Sequence, residues 1–213
     1  MKDYDFAATP PETRYKLLIA SVVPRPIALV TTLDSHHQPN AAPFSFFNVL
    51  SHDPAVVALG IERRADGRKK DTVANIDASG EFVVNLVDEA MAPGMVVCGA
   101  DVEPGVDELA LAGFHAAPSL LVRPPRIAEA PVALECRMLR DIRLGFDNKR
   151  AILLAEVLAL RVRPDLVGER DRLDVAKMGL IGRLAGADYV RLSDVFSIPR
   201  VTPADLAERG SPA

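Results

Sequence analysis

Six short apolar segments, rich in Val, Ile, Leu and Ala, follow one another along the chain. They are residues 26–34, 41–51, 55–62, 81–88, 131–144 and 150–164. Such runs, with β-branched residues and polar turn signals between them, are typical of β-strands. Helical patterns interrupt the series without the regular alternation that a parallel sheet would require. The sequence therefore predicts a mainly β fold, an antiparallel β-barrel with helical insertions.

Helical signals are clearest at the start of the chain and in its middle. In residues 9–24, Thr9 is expected to be the N-cap, two prolines fall in the first turn, and Pro24 ends the pattern. Residues 88–117 show further helix-like spacing. No internal repeat, low-complexity tract or long linker divides the chain, so we expect one domain over residues 1–213.

A cluster of basic residues precedes a third predicted helix at residues 71–80. Asp71 or Thr72 is expected to cap this helix and Gly80 to close it. The cluster consists of Arg63, Arg64, Arg68, Lys69 and Lys70. Free amides and the dipole at a helix N-terminus, next to Lys and Arg side chains, form an anion site that suits phosphate. The alternative is an ordinary solvated turn, and this segment alone leaves both interpretations open.

Composition narrows the class of protein. The chain is 49% hydrophobic and 25% charged, as globular proteins are, and its net charge of −4 does not favour nucleic acid or an anionic membrane as a partner. The first residues lack the apolar core of a secretory signal, and no apolar run reaches the roughly 18–20 residues of a membrane span. Cys98 and Cys136 stand in apolar surroundings, which favours free thiols in a reducing cytoplasm.

The familiar catalytic motifs are absent or misleading. Ser51, His52 and Asp53 are adjacent in sequence, so their side chains would point to opposite faces of an extended segment and could not converge as a triad. The four histidines have no metal-ligand spacing, and the segment 179–186 does not follow the G-x-G-x-x-G order. We therefore assign no catalytic residue and no metal ligand.

Two neighbouring segments combine polar and aromatic residues. Residues 30–32 (Val-Thr-Thr) are followed across a predicted hairpin by residues 40–48 (Asn-Ala-Ala-Pro-Phe-Ser-Phe-Phe-Asn). Such strands can pack a flat heterocycle and satisfy its polar edge. The alternative is a buried strand pair whose polar groups bond to each other.

Taken together and in this order, these segments resemble the flavin reductase-like family of FMN-binding split barrels. The matching segments are residues 24–34, 40–54, 69–76, 80–87, 105–113, 127–136 and 182–192. They span a core of about 20–192, with the opening helix and the C-terminal tail as embellishments. The resemblance implies a split β-barrel that forms a homodimer, with FMN bound near the subunit interface.

The resemblance also implies which residues hold the cofactor. It places Thr31 and Thr32 beside the isoalloxazine ring, Ser45, Phe46, Phe47 and Asn48 in contact with the flavin, and Lys70, Asp71 and Thr72 at the phosphate. Arg183 and Tyr189 would close over the flavin, where they could touch either the ring or the incoming nicotinamide. Arg68 and Lys69 are added to the phosphate site because of their charge. One departure from the family pattern is Ala185-Gly186, where relatives often carry consecutive glycines, and the extra methyl would narrow the approach to the ring.

The function implied by the resemblance is an NAD(P)H-dependent flavin reductase. NADH or NADPH would pass a hydride to flavin N5, and a monooxygenase partner or a small-molecule acceptor such as a ferric complex would take the electrons. Two alternatives stay open: a non-catalytic or electron-carrying FMN protein, and a module whose basic turn binds an anionic partner. Nothing in the sequence indicates a nucleic-acid or membrane partner.

Overall fold

The computed structural model describes residues 1–62, 69–103, 105–144, 150–203 and 205. Within these ranges the helices are α1 Pro11–Ser21, α2 Asp71–Ser79, α3 Ala92–Val97 and α4 Glu108–Ala112. The strands are β1 Arg25–Pro26, β2 Ala28–Leu33, β3 Pro39–Phe44, β4 Phe47–His52, β5 Ala55–Glu62, β6 Glu81–Leu86, β7 Ala116–Ala117, β8 Arg126–Ile127, β9 Val132–Leu144, β10 Arg150–Val162, β11 Ile181–Arg183 and β12 Tyr189–Arg191.

Seven strands form one antiparallel sheet in the order β3-β2-β6-β9-β10-β5-β4. Its two edge strands, β3 and β4, are consecutive in the chain and are joined by only Ser45 and Phe46. The joint spans three residue steps, or about 11 Å at full extension, whereas six strand spacings in a flat sheet measure about 29 Å. The sheet must therefore curl until its edges approach each other, which gives a barrel that is open along one side. The predicted β-barrel is confirmed.

The predicted single strand at residues 41–51 is wrong, because these residues form two strands. The chain leaves the barrel edge after Phe44, which pairs with Ala28 of β2, and enters the opposite edge at Phe47, which pairs with Leu59 of β5. Both halves are apolar and extended, so the crossing at Ser45–Phe46 leaves no mark in the pattern of the sequence.

Strand β2 is buried on both faces. Ala28 and Val30 point into the barrel, where they join a cluster that includes Phe44, Phe47, Phe82 and Leu153. Leu29 points outward to a second cluster formed with Met91, Met95, Leu109 and Ile127. Because the helices α3 and α4 cover the outer face, the strand reads as a continuous apolar run rather than an alternating one.

The helices lie within the predicted helical segments, and residues 88–117 hold two short ones, α3 and α4, but the predicted N-caps are wrong. Pro10, which has no side-chain acceptor, is the N-cap of α1, and the Thr9 hydroxyl instead donates to the Asp5 carbonyl. Lys70 is the N-cap of α2 without a side-chain hydrogen bond. The assignments of Thr9, and of Asp71 or Thr72, as capping residues are therefore wrong.

The C-terminal end of α2 matches the prediction, since Gly80 closes it in the left-handed conformation with φ of 71°. The three-stranded sheet β1-β11-β12 packs beside the barrel and brings the chain from Arg25 against Arg183. In the described part of the chain, no helix is long and apolar enough to cross a membrane.

Candidate functional site

A cavity of roughly 310 Å³ opens at the N-terminus of α2. Among the residues that line it are Asn40, Lys70, Asp71, Thr72 and Glu108. The first amides of a helix have no acceptor within the helix, and the dipole makes this end positive. The Lys70 ammonium lies 5.5 Å from the centre of the Phe44 ring, so a cation stands at the same opening. This part of the site, called the polar end below, suits an anionic group.

The wall of the polar end is a chain of buried hydrogen bonds centred on Asn40. Its Oδ1 accepts from the Thr72 hydroxyl at 3.0 Å and from the Thr32 hydroxyl at 3.3 Å, and its Nδ2 donates to Glu108 Oε1 at 2.7 Å. Asn75 Nδ2 in turn donates to the Thr32 hydroxyl at 3.0 Å. Every member is buried. A buried network with all its partners in place holds each side chain in one orientation, so Thr72 is fixed at the start of α2.

Glu108 is the anchor of this network. Its second oxygen accepts from the Ala41 amide at 3.1 Å. Burial raises the pKa of the Glu108 carboxyl, the hydrogen bonds from Ala41 and Asn40 oppose that rise, and the negative charge of Asp71 adds to it. Burial, with the nearby Glu108 carboxylate, also raises the pKa of the Cys98 thiol to about 12. Cys98 lines the polar end, but it stays protonated at neutral pH and is no nucleophile.

A second cavity of roughly 340 Å³ continues from the first. Both are lined by Pro43 and Gly99, so together they form one groove. The second cavity is called the aromatic end below, because two tyrosines and a phenylalanine line it together with a serine, an arginine and apolar residues. Its lining residues are Tyr15, Ile27, Pro43, Phe44, Ser45, Met95, Val96, Gly99, Arg183 and Tyr189.

The β11–β12 hairpin places Arg183 and Tyr189 opposite each other. The Arg183 guanidinium lies 4.4 Å from the centre of the Tyr189 ring and donates to the Gly186 carbonyl at 2.5 Å. The stacked pair closes one side of the aromatic end. No Asp, Glu or His occurs among the described residues that line this end, so a planar ring can bind there beside positive charge.

The structure brings together six of the residues predicted for the site. These are Ser45, Lys70, Asp71, Thr72, Arg183 and Tyr189, which all line the groove. Lys69 is turned away, with its ammonium 2.5 Å from the Asp77 carboxylate. Arg68 lies outside the described residues. The assignment of Lys69 and Arg68 to the phosphate stays a prediction.

Thr31 and Thr32 are fully buried and do not line the groove in this conformation. The Thr31 hydroxyl donates to the Pro125 carbonyl at 2.5 Å, and Thr32 belongs to the Asn40 network. Their predicted contact with the flavin ring therefore stays a prediction. In this structure, Thr32 supports the wall of the polar end.

Phe46, Phe47 and Asn48 face a different cavity of roughly 430 Å³, which is mainly apolar. Phe47 is buried in the barrel, whereas Phe46 is 50% exposed. Gly60 makes this arrangement possible, because a Cβ there would lie 2.9 Å from the Phe46 Cβ. The predicted contact of these three residues with the flavin also stays a prediction.

Sequence reasoning missed Asn40, Glu108, Tyr15 and Arg25. Asn40 and Glu108 are 68 positions apart, and no local pattern links them. Tyr15 looked like an ordinary apolar position of the first helix, yet it lines the aromatic end. Within the described ranges, no three metal-ligating side chains converge.

The groove has an aromatic end and a polar end, where Lys70 and the start of α2 share the opening with Asp71, Asp101 and Glu108. On a barrel open along one side, it suits an elongated planar ligand whose tail can bind the Lys70 ammonium and the α2 amides. The sequence profile of the flavin reductase like domain matches residues 20–176. The chain belongs to the flavin reductase-like family, and its structural neighbours are split-barrel proteins of that kind, so the predicted family is confirmed.

Three comparisons show how close these relatives are. The 2-nitrobenzoate 2-nitroreductase of Pseudomonas fluorescens is 35% identical, with a TM-score of 0.86 over 95% of this chain and 98% of that one. Component B of nitrilotriacetate monooxygenase from Bacillus cereus is 31% identical, with a TM-score of 0.88 over 93% and 98%. A Deinococcus radiodurans protein without an assigned function is 41% identical over 97% of this chain and 92% of its own length.

The residues present fit the flavin mononucleotide that the family implies. The polar end offers an ammonium and helix amides to a phosphate, and the aromatic end offers a stacked Arg183–Tyr189 pair and the Ser45 hydroxyl to a ring system. The two ends are continuous through Pro43 and Gly99, as one extended ligand requires.

We expect the free energy of unfolding to depend on pH through the ionisation of Glu108. Its pKa is raised in the folded state. Its contribution is therefore complete below about pH 4.3, the ordinary value for Glu, and is lost as pH rises through the folded-state pKa. The free energy of unfolding of the wild type minus that of Glu108→Gln should fall as pH rises from mildly acidic to neutral.

Urea unfolding of both proteins over this pH range tests the prediction. Glu169→Gln, which removes an exposed carboxylate, is the matched control. A wild-type minus Glu108→Gln difference that stays constant or rises with pH would contradict it.

Proposed function

We propose that the protein is an FMN-dependent oxidoreductase that oxidises NADH or NADPH and passes the electrons to a second acceptor. The observation that carries the proposal is the continuous groove, whose ends match the phosphate and the ring of FMN. FMN, when bound, would supply the hydride and electron-transfer chemistry. The chain's own residues bind and orient the reactants.

At the polar end, the residues act by holding charge. The α2 amides and the Lys70 ammonium would bind a phosphate, and Thr72, whose hydroxyl donates to Asn40, supports the wall of the same opening. The Asn40 network orients Thr72 before any ligand binds, so ligand binding carries no entropy cost for ordering this side chain.

At the aromatic end, the residues act by exclusion and alignment. Tyr15, Tyr189 and the apolar lining keep water from the ring, and the Arg183 guanidinium is held by Tyr189 and Gly186. Hydride transfer between aligned rings needs positioning rather than a side-chain acid or base. The lack of carboxylate or imidazole among the described lining residues of this end agrees with that requirement.

The comparisons suggest two kinds of acceptor. One relative is named as a nitroreductase acting on 2-nitrobenzoate, and another as component B of a monooxygenase. We therefore propose either a small oxidised molecule, such as a nitroaromatic compound or a ferric complex, or a monooxygenase partner. An electron-carrying FMN protein remains the alternative, because the same groove would serve it.

Two further proposals concern the whole protein. We treat residues 1–213 as one domain, of which residues 20–176 match the family. We place it in the cytoplasm, where nicotinamide cofactors are reduced, since both cysteines are free and buried.

Mixing the FMN-loaded protein with NADH or NADPH in a stopped-flow instrument tests the reaction itself. We expect the flavin absorbance to bleach with a rate that rises and saturates with the concentration of the preferred nicotinamide. The same protein in buffer alone is the control. No bleaching with either nicotinamide would leave the electron-carrier alternative.

The assignment of the phosphate is tested by Lys70→Ala and Thr72→Ala. We expect each to lower the affinity for FMN at least tenfold. Lys70→Ala removes a charge-assisted bond of about 1.5–3 kcal/mol, and Thr72→Ala removes the donor that ties the start of α2 to Asn40. The measurement is quenching of flavin fluorescence on titration with protein.

Lys69→Ala is the matched control, because the same charge is removed where it pairs with Asp77. We expect less than a threefold change. An equal loss for both lysines would instead support the sequence-based inclusion of Lys69, and unchanged affinity in Lys70→Ala and Thr72→Ala would remove the phosphate role.

We also propose that the protein is a homodimer through an apolar surface formed by α1, β4 and the joint before β4. Its members are exposed by 40% or more: Leu18, Val22, Phe46, Val49 and Leu50. An apolar patch of this kind on one surface marks an interface. We expect Val49→Glu with Leu50→Glu to shift the molar mass in light scattering from dimer to monomer. Leu111→Glu, equally exposed on α4, is the control and should leave the mass unchanged.

A further inference from the structure

Arg25 is buried beside the aromatic end and bonds only to uncharged groups. It is 7% exposed. Its Nη1 donates to the carbonyls of Ile19 at 2.5 Å and Val22 at 3.0 Å, and its Nη2 donates to the Leu184 carbonyl at 2.8 Å. Its Nε donates to the Ser45 hydroxyl at 3.4 Å. The guanidinium therefore joins three separate segments at one point.

Each of these segments supplies a wall of the aromatic end. Ile19 and Val22 belong to the last turn of α1 and the residue after it, and the same helix carries Tyr15. Leu184 begins the turn between Arg183 and Tyr189, and Ser45 lines the end directly. Since α1 has no buried residue of its own, its position depends on contacts such as these.

The backbones of β1 and β11 approach each other closely at Arg25. Gly182 of β11 faces Pro24, and a Cβ on Gly182 would lie 2.6 Å from the Pro24 Cβ. Only glycine allows β1 and β11 to approach so closely. That approach sets Arg25 opposite Arg183 in the register of the two strands.

Within the part of the chain that the structure describes, no carboxylate neutralises the charge of Arg25. Arg25 forms no ion pair with a carboxylate of the described residues, and the described lining of the aromatic end contains no carboxylate. Burial lowers the pKa of Arg25, the nearby Tyr15 opposes this, and the positive charge of Arg183 adds to it. A buried charge without a counter-ion is costly, and the α1 carbonyls offset only part of the cost.

We propose that Arg25 is a positioning residue of the aromatic end whose unneutralised charge favours a ligand that is negatively charged there. The inference deepens the proposed function, because the ring of FMN gains negative charge when it is reduced. Arg25 would thus hold the walls of the site in place through its four hydrogen bonds. Through its charge, which lies next to Ser45 rather than in the lining, it would favour the reduced cofactor over the oxidised one.

The test compares the wild type with Arg25→Gln and Arg25→Lys, all loaded with FMN. The readouts are the affinity for oxidised FMN and the two-electron midpoint potential against a reference dye. We expect Arg25→Gln to lower the preference for reduced over oxidised FMN about tenfold, which lowers the potential by about 30 mV. Arg25→Lys keeps the charge and should retain most of the wild-type potential. Arg172→Gln, the same change at an exposed position outside the groove, should change neither readout.

Equal losses of FMN affinity in both Arg25 variants, with no change in potential, would show that Arg25 is only a structural contact and would overturn the proposal. If Arg25→Gln does not fold, the pH dependence of the wild-type midpoint potential provides the test. In mildly acidic buffer this potential should fall with pH half as steeply as that of free FMN, because one proton rather than two accompanies the electrons. A slope equal to that of free FMN would overturn the proposal. A wild type that takes up no FMN refutes the proposed function itself, before any variant is made.

Discussion

The two-residue joint at Ser45–Phe46 is the constraint on which the rest of the structure depends. It connects the two edges of a seven-stranded sheet, and so few residues cannot span a flat sheet of that width. The sheet therefore curls, and it leaves an open side along β3. The groove runs beside this strand, since Asn40, Pro43 and Phe44 line it from end to end. The same short connection that makes the barrel also places Ser45 in the site.

The two ends of the groove are built on different physical grounds. At the polar end, neutral buried groups and one carboxylate satisfy each other through Asn40, so that little positive charge is needed beyond Lys70 and the start of α2. At the aromatic end, two arginines stand close together and the described lining holds no acid. A ligand with a fixed anionic tail and a ring of variable charge would make use of both arrangements.

Much of this fold could be predicted from the sequence, because local patterns carried it. The apolar segments gave the strands, Gly80 gave the end of α2, and Lys70 beside a helix start indicated the polar end. Longer-range features could not be predicted. No local pattern links Asn40 to Glu108, and Arg25 donates a hydrogen bond to the Leu184 carbonyl, 159 positions away. The crossing after Phe44 was missed because extended residues lie on both sides of it.

The side of β3 that does not pair with β2 also bears on how the chain avoids pairing with other chains. Residues 39, 41 and 43 share the backbone side that does not pair with β2, as the Ala41 amide shows by donating to Glu108. The other two are Pro39 and Pro43, which have no amide hydrogen. No donor on this side is left to recruit another strand, so an edge that must stay open for a ligand is protected against aggregation. By accepting from the Ala41 amide, Glu108 thus protects this edge strand as well as anchoring the hydrogen-bond network of the polar end.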